Sequence, residues 1–115
     1  MPNSLQERQT ALQARIQAIK AEINKLAGET YQGCWIDSAT NATGKRYFRL
    51  RWFKSLRPKR KGCRILKGED LAIATQAIDL WQQLEKAESE LAEVIDAIGR
   101  IYTIADRYGL KILSD

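Results

Sequence analysis

The chain has 115 residues, 44% hydrophobic and 29% charged, with a net charge of +5, which suits a single folded domain with a modest core. It contains no histidine, and this excludes His-based triads, His metal ligands and the commonest general base. No apolar run approaches the roughly 20 residues of a membrane span, and "MPNSLQERQT" lacks the apolar stretch of a signal peptide, so a cytoplasmic protein is expected.

The first expected element is a helix over 4–27, "SLQERQTALQARIQAIKAEINKLA". Ser4 and Glu7 have the spacing of a capping box, and Gly28 supplies a stop. Leu5, Leu12, Ile16, Ile19, Ile23 and Leu26 recur at alternating threes and fours, with only position 9 polar, which is the seam of a coiled coil.

The period then changes to two. "YQGCWIDSA" reads as a strand, followed by the turn-rich "SATNATGK". In "RYFRLRWF" Phe48, Leu50 and Trp52 fall on one face, and Tyr47, Arg49, Arg51 and Phe53 on the other, the pattern of a half-buried strand. Pro58 and Gly62 break the basic turn "KSLRPKRKG". "CRIL" reads as a short third strand with Cys63 and Ile65 inward and Arg64 outward, so that residues 31–67 form a three-stranded antiparallel sheet. Trp35 fits either the core or the open face of that sheet.

A second helix is expected over 69–108. Ala77, Leu80, Leu84, Ala87, Leu91, Val94, Ile98 and Ile101 continue the seam, and Ile78, Trp81, Ile95 and Tyr102 widen it. Gly109 is placed to cap its end, and Gly99 weakens it by about 1 kcal/mol relative to alanine. "LKILSD" closes the 109–115 tail as a short apolar ending that folds back onto the bundle. If residues 69–85 back the sheet, 86–108 match 5–27 in length. The fold class is therefore α+β: a three-stranded antiparallel sheet backed by a long helix, with an antiparallel helical hairpin of about 35 Å at 1.5 Å per residue.

The charge distribution is more informative than its total. From Lys45 to Lys67 there are eleven Lys or Arg and no acid, whereas the rest holds eight Lys or Arg against all fourteen acids, a balance of −6. One positive patch on an acidic body points to a local anionic partner. Its interleaved aromatics and strand period argue for a folded surface, not a basic tail. Alternate side chains on a strand lie roughly 7 Å apart, near the spacing of successive phosphates on a DNA strand. Arginine binds phosphate in a fork and reads a guanine edge, which lysine does poorly. The expected nucleic-acid-binding set is Lys45, Tyr47, Arg49, Arg51, Lys54, Arg57, Lys59, Arg60, Lys61 and Arg64.

No enzyme, cofactor or metal site is expected. Cys34 and Cys63 form no C-x-x-C pair and read as buried reduced thiols, able to meet only on neighbouring strands. Glu85, Glu88, Glu90 and Glu93 read as a solvated helix face.

Residues 31 to about 88 resemble the sheet-plus-helix DNA-binding domain of plant ethylene-response factors and the arm-binding domains of tyrosine integrases. The resemblance is carried by "GCWIDSATNATGKRYFRLRW", a basic turn, and "GCRILKGEDLAIATQAIDLW". It implies major-groove binding through the sheet, the helix as backing, and base contacts from Arg49, Arg51 and Arg64. The long flanking helices depart from the pattern, and a regulatory or accessory role fits better than recombination. Double-stranded DNA is favoured over RNA as partner, with a homodimer through the helical seams and a nucleoid location following from that reading. The alternative is a protein-interaction module resembling prefoldin-type chaperones, a helical hairpin whose basic strand tip binds an acidic protein.

Overall fold

The computed structural model describes residues 2–53, 55 and 62–109, so Lys54, Arg57, Lys59, Arg60 and Lys61 of the expected set, and the apolar ending 110–115, lie outside the described residues. The order is α1 (Pro2–Leu26), β1 (Cys34–Thr40), β2 (Arg46–Trp52), β3 (Cys63–Leu66) and α2 (Gly68–Arg107). This is the α+β class that the change of period implies. Contacts divide the chain into two compact units, 21–82 and a helical unit made of the two ends of the chain, 1–20 with 83–115.

In the 21–82 unit the strands form an antiparallel sheet in the order β1-β2-β3. Cys34 pairs with Trp52, Ile36 with Leu50 and Asp37 with Arg49; Phe48 pairs with Leu66, Leu50 with Arg64 and Arg51 with Cys63. Because strand side chains alternate, this register defines two faces. The inner face carries Cys34, Ile36, Leu50, Trp52 and Leu66. It packs with Tyr31 and with Leu71, Ile73, Ala74, Ala77, Ile78 and Trp81 at the start of α2.

Two turns set the geometry. After α1, Gly28 takes φ 55° and its N–H reaches the Ile23 carbonyl at 2.9 Å. Between β1 and β2 the Asn41 carboxamide oxygen accepts from the N–H of Thr43 (3.0 Å) and of Lys45 (2.9 Å) and from the Thr43 hydroxyl (2.7 Å). One side chain thus replaces the ladder bonds that the loop lacks.

Several boundaries differ from the sequence reading. α1 starts at Pro2, not Ser4, since proline in a first helical turn gives up an N–H that has no partner there. β1 starts at Cys34, because residues 31–33 turn and Tyr31 is buried against the core. β3 has the opposite parity to the expected one. Leu66 is inward and buried, Ile65 points outward and is 56% exposed, and Arg64 pairs with Leu50 on the inner face. Cys34 and Cys63 accordingly lie on non-adjacent strands and opposite faces. Neither is in a disulfide; Cys34 is half-buried and Cys63 exposed, not buried as expected.

In the helical unit Leu12, Ile16, Ile19, Leu84, Ala87 and Val94 are buried, on the expected seam. Gln13, Ile16, Gln17 and Lys20 of α1 and Glu88, Leu91, Ala92 and Ile95 of α2 line one groove of about 320 Å³, so these stretches lie side by side. The second stripe is covered at Ile78 but open at Ile95 and Tyr102.

Gly99 lies within α2, and a Cβ built there meets nothing within 4 Å. The Gly99→Ala variant is expected to gain about 0.5–1 kcal/mol from the reduced freedom of the unfolded chain. A urea titration followed by circular dichroism measures it. A lower midpoint would mean that something packs against this position.

Candidate nucleic-acid interface

The outer face of the sheet carries Trp35, Asp37 and Ala39 from β1, Tyr47, Arg49 and Arg51 from β2, and Cys63 and Ile65 from β3. Phe53 follows β2 directly. Its ring meets that of Trp35 at 5.0 Å between centroids and 52° between planes, a tilted aromatic pair. Phe53 is 63% exposed, so this pair and Ile65 form an apolar surface open to solvent on the same face as the arginines.

At the centre of the face one carboxylate serves two guanidiniums. Arg49 Nε donates to Asp37 Oδ1 at 2.9 Å and Arg49 Nη2 to Oδ2 at 3.0 Å. Arg51 Nη1 donates to the same Oδ2 at 3.1 Å. The register causes this directly, since Asp37 is the cross-strand partner of Arg49, and Arg51 lies two residues further along the same face. Without Asp37, two like charges on one face would repel. The hydrogen bond from Arg49, and then that from Arg51, holds the Asp37 carboxyl below its ordinary value of 3.8, against the opposing effect of desolvation. The Arg49 guanidinium is held above its ordinary value, again chiefly by the hydrogen bond to Asp37.

The three contacts leave donors over. Among the described residues Arg49 Nη1 and Arg51 Nη2 make no hydrogen bond, and neither is buried. Arg51 Nε is buried and has no hydrogen-bond partner.

Of the expected set, the structure brings Tyr47, Arg49 and Arg51 together on one face. Lys45 lies exposed in the turn that Asn41 organises, at the end of the ribbon. Arg64 does not join them, because β3 presents it on the inner side. Phe48, expected in the core, is 37% exposed on the inner face, with the Arg46 guanidinium 5.7 Å from its ring centroid. Asp37 is the central residue that the sequence reading missed. It is the single acid between Glu29 and Glu69, and a solitary carboxylate on a strand facing an arginine-rich strand was the available signal.

Among the described residues no group of His, Cys, Asp or Glu is arranged to hold a metal ion, and no helix is long and apolar enough to cross a membrane. No protein-family model, curated protein or solved structure matches this chain.

Proposed function

We propose that the chain is a non-enzymatic nucleic-acid-binding protein that takes double-stranded DNA against the outer face of its sheet, in a regulatory or accessory role. The observation that supports this reading is the fixed Arg49–Asp37–Arg51 cluster beside exposed aromatics, within a segment whose eleven cations include no acid. Asp37 cancels one of the two central charges, which weakens purely electrostatic attraction. It also holds both guanidiniums in place, so less side-chain entropy is lost when a ligand arrives. The N–H groups left over point to a ligand with paired acceptors, as phosphates and guanine edges have. RNA suits the face less well, since the deep, narrow groove of an A-form helix does not admit a ribbon.

In this reading Lys45, Lys54, Arg57, Lys59, Arg60 and Lys61 hold phosphates. The helical hairpin, a coiled coil, stiffens the sheet or pairs two copies on repeated half-sites, and Ile95 and Tyr102, both exposed, lie on the second stripe, which is available for pairing. About six phosphate contacts make log affinity fall against log salt with a slope of roughly −5. Fluorescence anisotropy with a labelled duplex from 50 to about 300 mM salt measures it. A slope near zero, or no duplex binding at low salt, refutes the reading.

A second reading draws on the exposure of Phe53 and Ile65. Aromatic, aliphatic and arginine side chains together are also the composition of a protein-binding hot spot, and the occupant would then be an acidic protein. Nuclease treatment of the purified chain separates the two, because it removes bound nucleic acid and leaves a protein partner in place.

A further inference from the structure

Arg49 and Arg51 are neighbours on one strand, yet Asp37 holds them differently. Arg49 gives Asp37 the side edge of its guanidinium, Nε with Nη2. Its opposite edge, Nη1 with the second proton of Nη2, stays free and planar, with two parallel donors. Arg51 gives Asp37 its Nη1, and its Nε is buried. Asp37 thus holds Arg49 at two points and Arg51 at one. The carboxylate therefore fixes the guanidinium plane of one arginine and not that of the other.

On this basis, and resting on the duplex-DNA reading above, we propose that Asp37 is a positioning residue that presents the end-on fork of Arg49 to the O6 and N7 of one guanine, while Arg51 acts as a single-point phosphate clamp. The chemistry follows from acceptor geometry. Guanine O6 and N7 are two acceptors on one base edge, matched by a planar pair of N–H donors, and no other base offers that pair in the major groove. A phosphate needs no such pair and accepts a single donor from any direction. The carboxylate bond fixes the rotation of the guanidinium plane, which decides whether the fork lies parallel to a base edge. A free arginine on an exposed strand would sample many orientations and would bind phosphates without preference. Asp37 therefore serves specificity at a cost in total attraction, because its negative charge opposes the DNA backbone.

That opposition gives the inference a signature that a merely structural role would not produce. In Asp37→Asn one negative charge is lost from the face. Affinity for random duplex is expected to rise and its salt slope to steepen by about 1, since one more cation is left to displace counterions. Affinity for the preferred site falls at the same time, so the ratio of specific to non-specific binding drops roughly tenfold.

The experiment begins with selection from a random duplex library using the full chain. Each guanine of the selected site is then replaced in turn by 7-deazaguanine, which lacks the N7 acceptor. One position is expected to lose about tenfold in affinity with the wild-type chain and almost nothing with Arg49→Lys or Asp37→Asn; Arg51→Lys keeps the full 7-deazaguanine penalty. Circular dichroism of each variant reports folding independently of binding. If the selected site tolerates 7-deazaguanine everywhere, or if Asp37→Asn leaves the specificity ratio unchanged, the inference is overturned while DNA binding stands. If no duplex is selected and none binds at low salt, the DNA reading itself fails, and the inference with it.

Discussion

Replacing Leu50 by alanine is expected to destabilise the 21–82 unit by about 2–5 kcal/mol, a large part of the stability of so small a unit. Leu50 is 2% exposed, lies at the centre of the middle strand, and packs with Tyr31, Trp52, Leu66, Ala74, Ala77 and Ile78. Truncation removes its transfer free energy and leaves a cavity that a sheet held on both sides cannot collapse to fill. Its neighbours cannot be recruited either. Ile36 and Arg64, its partners across the two ladders, are fixed in register. A guanidinium titration followed by tryptophan fluorescence measures the loss, because Trp52 and Trp81 belong to the same core. Ile65→Ala is the matched control. Ile65 points to the outer face and is 56% exposed, so it should cost less than about 1 kcal/mol. Equal losses from the two variants would show that β3 is paired in the other register.

That control marks the limit of what the sequence alone reveals. The helices and β2 are legible because their periods are long or strongly alternating: six apolar positions keep one seam along α1, and Leu50 and Trp52 alternate with Arg49 and Arg51 along β2. The pairing of β1 with β2 was also within reach. Residues 41–45 form a turn closed by Asn41, and counting back from it sets Asp37 opposite Arg49. Reading the strand for its hydrophobic face alone passed over the carboxylate. β3 was not legible in the same way. "CRIL" offers Ile65 on one parity and Leu66 on the other, so alternation gives no decision in a strand of four residues. The turn that leads to it is long and basic, without the two-residue signature that fixes a hairpin register. The start of α2 settles the matter physically. Leu66 lies two residues before that helix and must enter the core that the helix covers, which sends Ile65 and Cys63 outward and Arg64 to the inner side.

The correction at β3 changes which arginines belong to the site, and it sharpens the second large prediction. On the proposed duplex reading, Arg49→Ala with Arg51→Ala is expected to lower affinity for the preferred duplex by roughly a hundredfold or more, the combined effect of losing the proposed base-reading fork and phosphate clamp. Arg64→Ala, on the other side of the sheet, should leave sequence preference intact and at most reduce all affinities equally. The double variant alone does not isolate the contacts, however. With both guanidiniums gone, Asp37 is left without its two partners, and the local charge swings from +1 to −1. Part of any loss would then be repulsion between that carboxylate and the DNA backbone. The triple variant, with Asp37→Ala added, brings the cluster to zero charge and separates the two effects. If the arginines contact the DNA, the triple variant recovers non-specific affinity but not preference for the selected site. If they serve only to neutralise Asp37, the triple variant binds the preferred site as tightly as the wild type, and the outer face loses its claim to be the reading surface.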